Sequence, residues 1–375
     1  TEQAPFVNPP PFGMKLLSPL VYVIWRSYQH YSATVTRAEL PENFCPLPFV
    51  QLGTDPTGRV VPCCFNDYEL GNIKHQSLDE IWNSERMQSF RQEFLDGNPK
   101  ICASHIRDRQ CHKWTESILP HIVPEKFQEK PMQKLYAQLN GRCNLECIMC
   151  GVWDLPNGLF TEENFWEGAR KNIFPHLKEI FISGGEPLIQ KDTYKLIDEI
   201  TAVNTDCKFQ FVTNAHYSLT EKIKASLDKI QYLHNIHISI DSLDEENFAK
   251  IRLKGKLPKV LETINNYLAY REERKAQGLS WFSIALESTI QKDNYWELAS
   301  FAEYARRHNV RNTFGFVYIP EKFSLLTLPD SEKKKVLLSF INALQQTGER
   351  TIITLISPLF LSLSDECRLE TLRAC

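Results

Sequence analysis

The sequence predicts an α/β fold built on a parallel sheet, and three observations lead to it. From residue 132 to about 320, short strand patterns alternate with helical patterns, which is typical of repeated βα units. A cysteine-rich segment at 41–119 precedes them and predicts a separate small domain. The chain has 375 residues, 42% of them hydrophobic and 24% charged, which suits one large or two moderate domains with a core.

The chain begins with a Pro-rich stretch, and residues 1 to about 40 predict an extended arm followed by a helix at 18–31. The apolar run at 16–25 is about ten residues long and contains Pro19, so it is too short to cross a bilayer. We expect neither a transmembrane segment nor a signal peptide, and we expect a cytoplasmic protein. The formal net charge of −3 gives no reason to expect nucleic acid as the main partner.

The cysteine-rich segment contains signals for a hairpin and a helix. Strand-like runs at 44–52 and 59–64 flank a strong turn signal at 54–58, so cysteines stand at both ends of the hairpin. Ser77 and Glu80 have the spacing of a capping box at the start of a helix. A linker is expected at 120–131.

Six strands are predicted in the second, larger domain, at 135–139, 179–182, 208–212, 235–240, 281–286 and 311–317. Helical patterns lie between them at 191–202, 220–227, 259–276 and 295–308. Ligands in parallel α/β folds gather at the carboxyl ends of the strands, so the functional residues are expected there. A C-terminal helical extension is expected at 321–375, with a helix at 331–346.

Three closely spaced cysteines, Cys143, Cys147 and Cys150, follow the first of these strands as CxxxCxxC. Such thiolates indicate a metal or iron–sulfur site rather than disulfides. A cluster held by three thiolates leaves one iron open to a small molecule. The alternative is a structural zinc knuckle, which needs a fourth ligand nearby.

This spacing resembles that of the radical S-adenosylmethionine (SAM) enzymes. Met149 stands where that family often has an aromatic residue. The resemblance implies an open, partial (βα)6 barrel of the TIM type. It also implies a [4Fe–4S] cluster whose open iron binds SAM, and the reductive cleavage of SAM to a 5′-deoxyadenosyl radical.

Residues after several predicted strands extend the resemblance. Ser183-Gly-Gly-Glu-Pro187 is similar to the family's GGE motif, and Ser239-Ile-Asp241 to its Ser-Leu-Asp segment. Arg252 is either a partner of the SAM carboxylate or a surface arginine, and Glu287 has a structural hydrogen bond as its alternative role. The implied cofactor-binding residues are Gly184, Gly185, Glu186, Thr213, Asn214, Ser239, Asp241, Arg252 and Glu287.

The cysteine-rich segment resembles the SPASM/twitch domain, which holds an auxiliary iron–sulfur cluster in one branch of this family. The similarity lies in Cys45, the Gly58…Cys63 spacing, the Leu-Gly-Asn-Ile and Ser-Leu-Asp-Glu-Ile-Trp-Asn-Ser segments, and a late cysteine pair. It implies one auxiliary cluster, expected as [4Fe–4S], held by Cys45, Cys63, Cys102 and Cys111. Cys64 is the alternative ligand, His105 stands where the full domain has a cysteine, and a zinc ribbon is the structural alternative.

The resemblance implies an enzyme that abstracts hydrogen from an unactivated carbon while the auxiliary cluster handles the substrate electron. A small-molecule substrate is expected, together with a flavodoxin- or ferredoxin-type electron donor. A peptide or protein maturase and a non-catalytic, zinc-stapled binding protein are the alternatives. No catalytic acid is identified. Cys367 and Cys375 are expected to be unligated, and the alternative is that they act as a late cluster ligand or complete a cluster on a neighbour.

Overall fold

The computed structural model describes residues 40–41, 43–64, 66–103, 122–155 and 162–373. The helix expected at 18–31, as well as His105, Cys111 and Cys375, lies outside these ranges. The chain divides into two compact units. One comprises Val35–Glu287, and the other comprises Thr1–Thr34 with Ser288–Cys375.

The Val35–Glu287 unit is organised around a sheet whose strand order is β10-β8-β7-β6-β4-β1-β2-β3. Its core is parallel, and β2 and β3 are added antiparallel at the β1 edge. Two further strands, β5 and β9, form a separate ladder. The strands are β1 (Gln51–Thr54), β2 (Arg59–Val61), β3 (Gly71–Asn72), β4 (Lys134–Gln138), β5 (Glu146–Cys147), β6 (Glu179–Ser183), β7 (Lys208–Thr213), β8 (Tyr232–Ser239), β9 (Arg252–Leu253) and β10 (Ser283–Ile290).

The cysteine-rich segment contributes directly to this sheet. Strand β1 pairs in parallel with β4, with Gln51 opposite Lys134 and Gly53 opposite Tyr136. The expectation of a strand at 44–52 is correct only for its last two residues, because a 3-10 turn occupies Leu47–Phe49 and the strand begins at Gln51. Pro46 and Pro48 explain the late start, since proline has no N–H to donate to a ladder.

One face of the parallel sheet is buried and the other is half-exposed. In β4, Leu135 and Ala137 are buried, whereas Lys134, Tyr136 and Gln138 are partly exposed. Successive side chains of a strand point to opposite faces, so the half-exposed residues share one face. This alternation continues in β6 and β7.

Helices of the same unit follow the strands, as the βα pattern predicts. The capping box at Ser77 is confirmed, since its hydroxyl accepts from the Glu80 N–H and the Glu80 carboxylate accepts from the Ser77 N–H. The helices are α1 (Leu78–Trp82), α2 (Glu85–Leu95), α3 (Glu163–Gly168), α4 (Lys191–Thr201), α5 (Glu221–Leu227), α6 (Glu245–Ile251) and α7 (Leu257–Ala276).

The unit that contains Ser288–Cys375 is mainly helical in its described residues. Its elements are α8 (Leu298–His308), β11 (Arg311–Phe316), α9 (Asp330–Thr347), α10 (Ile353–Leu361) and α11 (Asp365–Arg373). The helix expected at 331–346 therefore coincides with α9. Among the helices described in either unit, none has the length and apolar character needed to cross a bilayer.

Candidate active site

The cysteine loop leaves the carboxyl end of β4 and is clamped at its start. Asn140 accepts a hydrogen bond from the Arg142 N–H at 2.9 Å, which turns the chain immediately before Cys143. The amide of Asn140 also contacts the buried carboxylate of Asp192. Local hydrogen bonding by Asn is a common way to fix such a turn.

The Gly-Gly turn after β6 packs directly on this loop. Gly184 and Gly185 have φ of +90° and +54°, which glycine adopts without strain. A Cβ on Gly185 would lie 2.2 Å from the Arg142 carbonyl oxygen, so no side chain fits there. Gln190 Nε2 donates to the carbonyls of Arg142 and Gly184, at 2.8 and 2.9 Å, and ties the turn to the cysteine loop.

Glu186 is fully buried and connects the ends of β6 and β7. Its carboxylate accepts from the Thr213 hydroxyl at 2.8 Å, the Asn214 N–H at 2.6 Å and the Leu188 N–H at 3.1 Å. Burial raises the pKa of Glu186 to about 7, against the lowering effect of these donors. Because the described donors engage both carboxylate oxygens, Glu186 holds the two strand ends in register.

The three thiols of the loop have different surroundings. Cys143 Sγ lies 3.4 Å from the Leu145 N–H and 3.5 Å from Asn214 Nδ2, and burial raises its pKa despite these donors. Burial also raises the pKa of Cys147 to about 11, while the positive charge of Arg252 lowers it. Cys150 is exposed, and its Sγ lies 3.5 Å from the Val152 N–H.

A buried ion pair supports Cys147. In the β5–β9 ladder Cys147 lies opposite Arg252, and Arg252 Nη1 is 3.9 Å from Cys147 Sγ. Arg252 Nη2 lies 2.8 Å from the Asp241 carboxylate, which is fully buried two residues after the end of β8. Arg252 is 6% exposed, so the surface-arginine alternative is wrong. Within the described part of the chain, its Nε is buried without a hydrogen-bond partner.

Glu287 lies apart from this group. Strand β10 continues to Ile290, so Glu287 stands within the strand rather than at its end, opposite Ser239 in the register. Its carboxylate is 2.6 Å from His237 Nδ1. The structure therefore gives Glu287 a hydrogen-bond partner of its own, His237.

Two of the described cysteines of the N-terminal segment, Cys63 and Cys102, contact Asn66. Cys63 forms an isolated β-bridge with Asn66, and Asn66 Nδ2 lies 3.2 Å from Cys102 Sγ. Cys45 is partly exposed, and the fourth expected ligand, Cys111, lies outside the described residues. No three Cys, His, Asp or Glu side chains in the described ranges converge closely enough to hold a single metal ion.

Two family models match these two regions. The model of the SPASM iron–sulfur cluster-binding domain matches residues 45–112, and that of the radical SAM superfamily matches residues 138–277. The chain therefore contains a radical SAM domain over residues 138–277. Its SPASM domain precedes the radical SAM core, as the motif order predicts.

Curated relatives of this radical SAM protein include two GTP 3′,8-cyclases. The one from Saccharophagus degradans is 29% identical over 189 residues, covering 48% of this chain and 54% of the relative. The one from Campylobacter lari is 33% identical over 175 residues, covering 45% and 51%. The match therefore spans about half the length of these relatives. SuiB of Streptococcus suis bound to S-adenosylmethionine aligns over 71% of this chain and 62% of SuiB, with a TM-score of 0.42 and 12% identity.

Radical SAM and SPASM domains imply a SAM-binding [4Fe–4S] cluster, SAM and an auxiliary iron–sulfur cluster. The residues present fit these groups. Three thiols on one loop supply soft ligands, and Arg252 Nε, which no described residue accepts from, leaves a buried cationic donor beside Cys147. The backbone of Gly185 packs against the same loop, at the Arg142 carbonyl.

Sequence reasoning missed three residues of this region. Gln190 clamps the Gly-Gly turn, and His216 accepts from Asn144 Nδ2 through its carbonyl at 2.6 Å. His237 pairs with Glu287. The available signal for His237 was a polar residue inside a parallel strand, where continuous apolar residues are usual.

Proposed function

We propose that this radical SAM protein is an enzyme that abstracts hydrogen from an unactivated carbon of a small metabolite or natural product. The [4Fe–4S] cluster that Cys143, Cys147 and Cys150 would hold would supply the reductive cleavage of SAM, and with it the abstraction of hydrogen. The outcome is a dehydrogenation, an epimerisation or a bond formation. The observation that carries this proposal is the packing of the Gly-Gly turn and the Arg252–Asp241 pair on the loop of three cysteines.

Each part of the site has a proposed role. Cys143, Cys147 and Cys150 hold the cluster, and their thiols must lose protons to do so. Arg252 donates its spare Nε–H to the SAM carboxylate, which suits a buried guanidinium already neutralised by Asp241. The backbone of Gly184 and Gly185 faces the amino group of SAM.

The remaining expected residues keep these groups in place. Glu186 and Thr213 hold the ends of β6 and β7 together, and Asn214 donates toward Cys143 Sγ. Ser239, at the end of β8, is proposed to contact the ribose of SAM. Asp241 orients Arg252 through its buried ion pair.

The auxiliary cluster is proposed to exchange an electron with the substrate. Cys45, Cys63, Cys102 and Cys111 would close it with four thiolates, so no iron position is left open to the substrate. Electrons would come from a flavodoxin- or ferredoxin-type donor in the cytoplasm, because oxygen-sensitive clusters need a reducing compartment. The similarity to relatives named GTP 3′,8-cyclase supports a small-molecule substrate for this chain.

The proposal is tested by metal and SAM analysis of anaerobically reconstituted full-length protein. We expect roughly eight irons per chain, the number for two cubane clusters. Cys147→Ala should lose about half of the iron and all SAM cleavage. Cys367→Ala, which changes a partly exposed cysteine outside both proposed ligand sets, is the matched control and should keep both. Stoichiometric zinc without iron would overturn the proposal.

A further inference from the structure

Among the described residues, two side chains reach the thiols of the three-cysteine loop. Arg252 lies beside Cys147, and Asn214, the residue after β7, donates from Nδ2 to Cys143 Sγ at 3.5 Å. The other described donors to these thiols are backbone N–H groups of the loop itself. Within the described part of the chain, Asn214 is therefore the one neutral side chain that donates to a proposed cluster ligand.

The orientation of the Asn214 amide follows from backbone groups whose roles are fixed. The N–H of His216 can only donate, and it lies 2.8 Å from Asn214 Oδ1. The carbonyl of His216 can only accept, and it takes a hydrogen bond from Asn144 Nδ2 at 2.6 Å. Asn144 must then turn its oxygen toward Asn214 Nδ2, which lies 2.9 Å away. Neither amide can be flipped without facing a like group, so one N–H of Asn214 goes to Asn144 and the other faces Cys143.

The turn that carries Asn214 is held at several points. Ala215 has a φ of +53°, a left-handed conformation that residues with a Cβ rarely adopt. Its N–H donates to the Thr213 hydroxyl at 3.0 Å, and the Thr263 hydroxyl donates to the Tyr217 carbonyl at 2.6 Å. Such conformations persist only where the surrounding structure enforces them. These bonds therefore fix the direction in which the Asn214 amide points.

A hydrogen bond to a ligand sulfur stabilises negative charge on that sulfur. Hydrogen bonds to the sulfurs are among the features that set the reduction potential of an iron–sulfur cluster. Burial raises the pKa of the Cys143 thiol, while the Leu145 N–H and the Asn214 amide lower it. Both donors thus favour an anionic sulfur at Cys143, and only that of Asn214 can be removed by changing a side chain.

We propose that Asn214 is a positioning residue that raises the reduction potential of the SAM-binding cluster. Reduction brings one electron from the proposed flavodoxin- or ferredoxin-type donor to the cluster, and no bond forms or breaks. Part of the added negative charge lies on the thiolates, so the Asn214 N–H stabilises the reduced form more than the oxidised form. Asn144 and the His216 backbone hold the amide in the required orientation. This inference rests on the proposed function and adds to it what sets the ease of cluster reduction.

The test is a redox titration of the reconstituted full-length protein without SAM, followed by electron paramagnetic resonance. The signal of interest is the one that SAM changes when it is added to a separate sample. Asn214→Ser should keep the turn, because a serine hydroxyl can accept from the His216 N–H, but it lacks the amide N–H that faces Cys143. We expect its midpoint potential to fall by about 59 mV, which is a tenfold change in the ratio of reduced to oxidised cluster for one electron. Asn214→Ala should show a fall of the same size.

Asn144→Ala is the matched control. It removes one hydrogen bond from the same amide, but the His216 N–H still orients Asn214 and leaves an N–H facing Cys143. The ratio of reduced to oxidised cluster should therefore stay within threefold of the wild type at any given potential. The signal that SAM leaves unchanged should keep its midpoint potential in all three variants.

An unchanged or raised potential in the two Asn214 variants would overturn the inference, and so would an equal fall in Asn144→Ala. Loss of the SAM-responsive cluster from both Asn214 variants would also overturn it, because Asn214 would then anchor the loop rather than adjust the potential. A wild type without a SAM-responsive cluster would instead remove the proposed function.

Discussion

Arg252 lies directly opposite Cys147 in the β5–β9 ladder, with Nη1 3.9 Å from the thiol sulfur and Nη2 2.8 Å from the Asp241 carboxylate. The Ile148 N–H donates to the Ile251 carbonyl at 3.0 Å and extends the same contact. The central cysteine is therefore held by the segment that follows α6, not only by its own loop. This link couples the ligand loop to a buried ion pair.

Removing one partner of the Arg252–Asp241 ion pair should destabilise the folded protein. Arg252→Met leaves the fully buried Asp241 without its cation, which should lower the free energy of unfolding by about 3–5 kcal/mol. The double variant Arg252→Met/Asp241→Leu should recover much of this loss, because no charge is left unpaired. Urea unfolding of the apoprotein measures both. Equal destabilisation in the single and double variants would show that the pair is not coupled.

Gly185 should tolerate no side chain. A Cβ there meets the Arg142 carbonyl oxygen at 2.2 Å, so Gly185→Ala must displace the cysteine loop. Gly278→Ala is the control, since Gly278 also has positive φ but no described atom within 4 Å of an added Cβ. In Gly278→Ala the free energy of unfolding should fall by about 1–2 kcal/mol from backbone strain alone. Gly185→Ala should lose more stability and also the iron of the SAM-binding cluster, and normal iron content would argue against the clamp.

The buried Glu186 should make stability depend on pH. Its folded pKa of about 7 exceeds the ordinary value of 4.5, so the folded state keeps a proton that the unfolded state releases. Stability from this group is therefore present below pH 4.5 and is lost as the pH rises through 7. The wild-type apoprotein should lose about 3 kcal/mol relative to Glu186→Gln between pH 4.5 and 8. Urea unfolding of both proteins from pH 4.5 to 8 measures this difference. If the free energies of unfolding of wild type and Glu186→Gln changed in parallel with pH, the predicted effect of Glu186 would be excluded.

Cys63 and Cys64, the adjacent cysteines of the SPASM domain, should differ in what their replacement does to the iron content. We expect Cys63→Ala to lose the auxiliary cluster, about half of the iron, because Cys63 forms the bridge with Asn66 that leads to Cys102. Cys64→Ala should keep the full iron content, since two neighbouring cysteines rarely reach one cluster. Iron analysis of the two variants decides between them. Loss of iron in Cys64→Ala alone would assign the ligand to Cys64.

Periodicity and turn chemistry predicted much of this fold. The capping box at Ser77 and the strand ends at Ser183 and Thr213 follow from local rules, since each depends on residues close in sequence. The parallel pairing of β1 with β4 does not, because it joins distant segments whose apolar patterns fit many partners. Short ladders such as β5–β9 have too few residues to show a period at all.

The residues of the candidate active site also fall into those that local sequence patterns identify and those that only tertiary packing reveals. The glycines at 184 and 185 and the three cysteines have spacings that identify them in the sequence. The burial of Arg252 was not predictable, since an arginine near the end of a helix is usually exposed and only tertiary packing brings Asp241 to it. His237 was missed because one polar residue in a strand gains meaning only from the neighbouring strands.

The proposed function requires that three thiolates from one loop leave an iron free to bind SAM. The most direct measurement is the electron paramagnetic resonance spectrum of the reduced, reconstituted protein before and after SAM is added. We expect SAM to change the signal of one cluster in the wild type and to have no effect on Cys143→Ala/Cys147→Ala/Cys150→Ala. An unchanged wild-type spectrum, with no SAM retained by the protein, would show that the three-cysteine loop leaves no iron open to SAM.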